Sequence, residues 1–334
     1  MNWALIGTST IAGQYMIGAI RSHAGADITW VQSSSAARAK AFSDAQGIAS
    51  STSDLTEVLT DPDLDAVYIS STNEKHFAQS MAAIEAGKHV LCEKPLATDI
   101  DQAITMVRAA ETAGVTFATN HHLRCAGSHR AMREIIQSGR IGRVLSLRLF
   151  HAVELPTHLR GWRLDDPKAG GGVIADLTVH NADVARFLLD EDPQTIVAQS
   201  CVSGLGQGVE DSAMSVWSIP SGTMVFSHES FTHPHAGSGI EVHGTKGSVI
   251  AKGVFAQDPT GTVTVIAQDA QETISFSLHS LYVEVIRDFC NCVASGKTPS
   301  ASGWDGVKSM IIADTVKRAA DTGVAQTVDF RGAP

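Results

Sequence analysis

The chain has 334 residues, 43% hydrophobic and 18% charged, which is enough for two domains with sizeable cores. Its 25 basic and 35 acidic side chains leave a formal net charge of −10, which argues against a nucleic-acid-binding surface. No apolar run approaches the roughly 18 residues of a membrane span. The amino terminus, Met1-Asn2-Trp3-Ala4-Leu5-Ile6-Gly7, lacks a basic leader segment and reads as a strand, so a cytoplasmic location is expected. The cysteines, Cys92, Cys125, Cys201, Cys290 and Cys292, form no Cys-x-x-Cys pair and are expected to be reduced thiols.

The first third alternates short β-rich runs with amphipathic stretches. Ala4 to Gly7 predicts a strand and Ile11 to Arg21 a helix, then Ile28 to Val31 a strand and Ala36 to Ala45 a helix. Ser53 reads as the N-cap of a helix over 54–59. A strand over 66–70 precedes a helix from Glu74 to Ala86, stopped by Gly87. His89 to Cys92 is a strand, Ile100 to Ala113 a helix stopped by Gly114, and Val115 to Ala118 a strand. This alternation predicts a doubly wound parallel α/β sheet, the Rossmann-like class, over residues 1–121.

Beyond His121 the pattern changes. After a helix from Ala126 to Ser138, strands follow one another: 144–153, 196–202, 213–219, 223–231, 240–243, 249–251 and 263–266. A helix from Ile174 to Leu189 interrupts them, and helices near 282–294 and 306–320 end the chain. Residues 122–334 therefore read as an α+β domain on a large, mostly antiparallel open sheet, a candidate for substrate binding and oligomerisation. Monomer and homo-oligomer are both compatible with the sequence.

Gly7-Thr8-Ser9-Thr10-Ile11-Ala12 follows the first strand and opens the first helix. It departs from the dinucleotide fingerprint Gly-x-Gly-x-x-Gly/Ala at Ser9, whose hydroxyl can cap the helix or donate to a phosphate. The helix N-terminus itself favours an anion. The plain alternative is an ordinary strand-to-helix turn. The second strand ends in Ser33-Ser34-Ser35 with Arg38 beyond. No carboxylate stands there to hold a ribose 2′-hydroxyl, whereas hydroxyls and a guanidinium suit a 2′-phosphate, so NADP(H) is expected over NAD(H).

Other candidates sit at strand ends. Ser71, Thr72, Asn73 and His76 follow the strand over 66–70, with Asn73 and His76 in reach of a cofactor. Glu93-Lys94-Pro95 places a charged pair where open α/β sheets bind ligands. Asn120-His121-His122-Leu123-Arg124 lies at the predicted domain junction. Adjacent histidines at a strand end point opposite ways and no third ligand has a recognisable spacing, so no metal site is expected. Farther on, Gly170-Gly171-Gly172 precedes a helix that carries Asp176 and His180 four residues apart, on one face. A carboxylate beside an imidazole can orient it for proton exchange near neutral pH. Arg160-Gly161-Trp162-Arg163 offers an aromatic plate and a guanidinium to a polar ring or a phosphate.

The order and spacing of the Rossmann-like opening, Glu93-Lys94-Pro95 and Gly170-Gly171-Gly172…Asp176…His180 resemble the glucose-fructose oxidoreductase / inositol dehydrogenase / MocA family over nearly the whole chain. The resemblance implies that Lys94 is the catalytic lysine and that Asp176 and His180 complete the substrate-side group. It also implies that Glu93 and Lys94 line the nicotinamide, that Trp162 and Arg163 lie against cofactor and substrate, and that Tyr282 is a cofactor neighbour. The implied activity is NADPH-dependent reduction of a ketone on a small sugar-like or polyol-like substrate. The alternatives are NAD(P)-dependent oxidation of a cyclic polyol or sugar, and nucleotide sensing without turnover.

Overall fold

The computed structural model describes residues 1–268 and 270–334. They form two compact units, Met1–His122 with Tyr282–Val307, and Leu123–Leu281 with Lys308–Pro334.

The first unit is built on six parallel strands: β1 (Asn2–Ile6), β2 (Asp27–Gln32), β3 (Ser50–Thr52), β4 (Ala66–Ile69), β5 (His89–Cys92) and β6 (Phe117–Thr119). Their order, β3-β2-β1-β4-β5-β6, is the doubly wound arrangement with its switch point between β1 and β4. All four residues of β4 are buried, as a parallel strand covered on both faces requires. Helices α1 (Ile17–Ser22), α2 (Ala36–Gln46), α3 (Leu55–Leu59), α4 (Asn73–Glu85) and α5 (Ile100–Ala113) follow successive strands. Helix α5 buries Ala103, Ile104, Met106, Val107 and Ala110, one face of a helical repeat, and Asp99 caps it by accepting from Gln102 N at 2.9 Å.

Three features of this unit differ from the local sequence pattern. Strand β3 has no apolar signature, because it is a short run of Ser50-Ser51-Thr52 paired along β2. Helix α3 is capped by Asp54, which accepts from Thr56 N at 2.8 Å, and not by Ser53. The two compact units are not divided at a single point of the chain, since the first takes in Tyr282–Val307 as well as Met1–His122. The reason is packing: Phe289 lies against Trp3 with ring centroids 5.1 Å apart, and Thr119 Oγ1 donates to Ser302 O at 3.1 Å.

The second unit holds a nine-stranded sheet with the order β14-β13-β12-β11-β7-β10-β9-β8-β15. Its strands are β7 (Val144–Ala152), β8 (Thr195–Cys201), β9 (Ser212–Ser218), β10 (Met224–Ser230), β11 (Ser238–Gly244), β12 (Gly247–Lys252), β13 (Thr262–Ala267), β14 (Ala270–Ile274) and β15 (Gln326–Thr327). Among the described residues only the β7–β10 pair is parallel. One face is covered by α6 (Gly127–Gln137) and by α8 (Val179–Leu189) with the π-helical turn Ile174–Thr178 that leads into it. Val197, Met214 and Met224 stand exposed on β8, β9 and β10. The short helix α7 (Trp162–Asp165) follows β7, and the chain ends through α9 (Leu281–Ser295) and α10 (Gly303–Thr322).

Candidate active site

In the first unit, five sets of expected site residues stand at the carboxyl ends of parallel strands. Gly7 follows β1, Ser33 follows β2, Ser71 follows β4, Glu93 and Lys94 follow β5, and Asn120 follows β6. This is the edge where open α/β sheets take ligands.

Gly7 has φ +110, and a Cβ there would come within 2.8 Å of Ser71 N, so no side chain fits. Ser9 performs the capping role: its Oγ accepts from Ala12 N at 3.1 Å and donates to Ser70 Oγ at 2.8 Å. Thr10 is exposed and Ile11 half-buried, and the chain then widens into a π-helical turn, Ala12–Met16, before α1. Beyond β2, Ser33 is buried with its Oγ 3.4 Å from Thr8 Oγ1, while the exposed Arg38 guanidinium donates to Ser34 Oγ. Ser35 caps α2. The glycine that no Cβ could replace, the helix start and this hydroxyl-guanidinium pair together fit a phosphate-bearing dinucleotide.

Glu93 is the centre of a buried polar cluster. Its Oε1 accepts from Tyr68 Oη at 2.5 Å and from Asn120 Nδ2 at 2.6 Å. Burial pushes its carboxyl above the ordinary range, while these two donors and the Lys94 charge pull it back. Burial, followed by the Glu93 charge, drives the Tyr68 hydroxyl well above its usual value, which keeps it a neutral donor. Asn120 is fully buried, and among the described residues its Oδ1 has no hydrogen-bond partner. Such an acceptor suits a ligand N–H group. Lys94 is half-buried and joined to Pro95 by a cis peptide bond.

The structure corrects the reading of His76. Both its ring nitrogens face carbonyl oxygens, Nδ1 that of Pro95 at 2.9 Å and Nε2 that of Ser71 at 3.1 Å. The ring therefore has no nitrogen to spare for a cofactor. Burial lowers its affinity for a proton, and the neutral ring donates from one of these nitrogens, to the turn after β4 or to the turn after β5. At the start of α4, the Thr72 hydroxyl donates to Glu74, Asn73 is buried, and Ser71 Oγ donates to Gln79 Oε1 at 2.6 Å. Tyr282 is fully buried, its ring 4.9 Å from that of Tyr15 and 5.0 Å from that of His122. Among the described residues, no group of three or more His, Cys, Asp or Glu could hold a metal ion. None of the described helices is long and apolar enough to cross a membrane.

In the second unit, Asp176 lies in the π turn and His180 at the start of α8. Widened turns of this kind recur at functional sites. The Asp176 carboxylate accepts from Arg163 Nε at 3.2 Å, and the Arg163 guanidinium stacks 4.5 Å from the Trp162 ring centroid. Trp162, Arg163 and Asp176 thus form one cluster. The His180 ring lies 6.1 Å from that of His151 on β7, which in turn stacks on Phe255 at 4.5 Å. Tyr68, His151 and Glu210 were not expected from the sequence. Tyr68 had a signal, a polar tip inside an otherwise apolar strand. Glu210 had none, because it meets the helix start 36 residues away.

Comparison with known proteins places these features in a family. Residues 1–121 match the oxidoreductase family with an NAD-binding Rossmann fold, and residues 129–250 match the GFO/IDH/MocA C-terminal domain. The chain is 48% identical over 328 residues to the 1,5-anhydro-D-fructose reductase of Ensifer adhaerens, covering 98% of both chains. In fold it resembles the aldose-aldose oxidoreductase of Caulobacter crescentus complexed with glycerol (TM-score 0.90, 21% identity, 98% and 99% of the two chains). It also resembles a levoglucosan dehydrogenase in complex with NADH and levoglucosan (TM-score 0.87, 22% identity, 98% and 99%). With both halves of the chain matched and the strand-end glycine, lysine and helix residues in their expected elements, this protein belongs to the GFO/IDH/MocA family of oxidoreductases.

Proposed function

We propose that the protein is an NADPH-dependent reductase of a sugar-like ketone, and that its substrate is 1,5-anhydro-D-fructose, reduced at C2 to 1,5-anhydro-D-mannitol. The observation that carries this reading is the 48% identity, over 98% of both chains, to a protein named for that activity. The preference for NADPH rests on the end of β2, where Ser33, Ser34 and the exposed Arg38 stand and no carboxylate does.

Gly7, Ser9, Thr10, Ile11 and Ala12 would hold the pyrophosphate by backbone N–H groups at the helix start, and Ser33, Ser34 and Arg38 the 2′-phosphate. Ser71, Thr72, Asn73, Glu93, Lys94 and Asn120 line the same strand edge for the rest of the cofactor, with Asn120 Oδ1 the acceptor for a carboxamide N–H. Tyr282 would act through the packing of its ring on Tyr15 and His122. Bound NADPH supplies the hydride for the reduction. As charge grows on the ketone oxygen, Lys94 or His180 stabilises it and donates the proton. Asp176 takes a substrate hydroxyl and helps orient His180, while Arg163 and Trp162 hold Asp176 and present a face to the sugar ring.

The test is steady-state kinetics of the purified protein with 1,5-anhydro-D-fructose and either NADPH or NADH, with the product identified by chromatography. Turnover with NADPH, at a kcat/KM far above that with NADH, and formation of 1,5-anhydro-D-mannitol are expected. Absence of ketone reduction, or a higher kcat/KM for oxidation of a cyclic polyol with NAD(P)+, would overturn the reading.

A further inference from the structure

We infer that Glu210 is a positioning residue that holds the start of the helix bearing Asp176 and His180. The inference rests on the proposed roles of those two residues.

The first backbone N–H groups of a helix have no partner within it, and a side chain at the N-cap commonly supplies one. Here the residue at that place is Gly172, with φ +109 and no side chain to offer. Glu210 fills the gap from a distant segment. Its backbone carbonyl accepts from Val173 N at 3.0 Å, and its Oε1 accepts from Ile174 N at 3.2 Å. A Cβ on Gly172 would lie 2.5 Å from that same Oε1, so the carboxyl occupies the space a local capping side chain would need. The first intrahelical bond, Asp176 N to Gly172 O at 3.2 Å, follows directly. Burial raises the Glu210 carboxyl, while the Ile174 N–H that it accepts pulls it back.

Glu210 is itself held through its neighbour. The neighbouring Asp211 carboxylate accepts from Ser203 N and Oγ, both at 2.7 Å, and from the N–H groups of Gly204, Leu205 and Gly206 at 3.0, 2.8 and 2.9 Å. Those donors hold its pKa down at about 2 against burial. Asp211 N donates to Cys201 O at 3.1 Å, and Phe231 N donates to Asp211 O at 2.8 Å, which fixes the backbone beside Glu210 to strand ends. The far side of the helix start closes the ring. Gly172 N donates to Arg163 O at 2.9 Å, and Arg163 Nε donates to Asp176. Gly172, Arg163 and Asp176 thus form one hydrogen-bonded circuit, to which Glu210 is joined through Val173 N and Ile174 N, and only Asp176 and Arg163 are proposed to face substrate or cofactor. Loss of the Glu210 acceptor frees the first turn, and a small displacement of Asp176 is costly for turnover.

The experiment compares Glu210→Ala and Glu210→Gln in the full-length protein. Kinetics with 1,5-anhydro-D-fructose and NADPH are read beside hydrogen exchange of the amides over 173–178. Glu210→Ala is expected to lower kcat about tenfold or more, to leave KM for NADPH within about twofold, as expected of a residue that offers the cofactor no group of its own, and to speed exchange at the helix start about fivefold. Glu210→Gln keeps an acceptor oxygen and is expected to retain most of the wild-type behaviour on both readouts. Unchanged exchange in Glu210→Ala would overturn the cap. Faster exchange with unchanged kcat would overturn the positioning role, and equal defects in both variants would overturn the acceptor argument. If the wild-type protein reduces no ketone, the proposed function fails, and the exchange data alone decide whether Glu210 holds the helix.

Discussion

The Asn120 amide donates to Glu93 Oε1 at 2.6 Å, on the same oxygen that takes the hydroxyl proton of Tyr68. Two donors from the neighbouring strand ends of β4 and β6 thus converge on one carboxylate beside Lys94. Each removes part of the cost of keeping that half-buried carboxylate ionised.

Removal of one donor should therefore have a signed pH dependence. Burial raises the Glu93 carboxyl, and the Tyr68 hydroxyl is the first of the groups that oppose it. Tyr68→Phe should raise it further. A carboxyl raised on folding keeps its proton in the folded state after the unfolded chain has released it, so its contribution to stability falls as pH rises through that window. The variant should lose about 1–3 kcal/mol near neutral pH and less near pH 4. Urea unfolding at the two pH values measures this, and an equal loss at both would refute the argument.

Lys94→Ala should lower kcat by roughly 10²-fold or more, the scale of proton-transfer catalysis. Binding of NADPH, followed by fluorescence titration, should change by only a few-fold. Near-normal turnover would remove Lys94 from the catalytic group.

Arg38→Ala should weaken NADPH by roughly tenfold to a hundredfold, the scale of a charge-assisted hydrogen bond to phosphate, and leave NADH nearly unchanged. Ser33→Asp should weaken NADPH further by repulsion. Parallel KM measurements for both cofactors check this, and equal losses for NADPH and NADH would place the 2′-phosphate elsewhere.

A second pH effect belongs to the other unit. Glu229 on β10 is fully buried, accepting from Asn181 Nδ2 at 2.8 Å and Ser227 Oγ at 2.5 Å. Burial outweighs these donors and raises its carboxyl from 4.5 to about 7. Between those values the folded protein holds a proton that the unfolded chain has lost, so stability should fall with rising pH, by about 3 kcal/mol across the window at most. Glu229→Gln mimics the protonated form and should flatten that slope, with the gain in melting temperature largest near pH 8. A steeper slope in the variant would refute the assignment.

Much of this architecture is legible in local patterns. The alternation of buried runs and amphipathic stretches yields all but one strand of the parallel sheet. The helix Ile100–Ala113 has the bounds that its repeat and its stop at Gly114 suggest, and the structure adds Asp99 as its cap. Strand β3 escaped because Ser50-Ser51-Thr52 is polar, and its pairing with β2 is a tertiary fact. The two-residue β15 escaped for the same reason, since Gln326 and Thr327 become a strand only beside β8.

The candidate site divides along the same line. Gly7, Ser33, Lys94 and Asp176 could be named from sequence because turn chemistry and strand tips are local features, and a backbone that must leave room at Gly7 shows itself as glycine. The donors that Tyr68 and Asn120 bring to Glu93 lie 25 and 27 residues away, and the Glu210 cap lies 36 residues from its helix. The two carbonyls that occupy His76, and the return of Tyr282–Val307 to the first unit, are likewise products of chain crossing. Sequence alone thus determined the layered fold and the strand ends where chemistry can stand, since periodicity and turn residues act over a few positions. Tertiary structure alone decided which polar groups share a proton, hold a helix start or spend themselves on structure, since those depend on strand order and register.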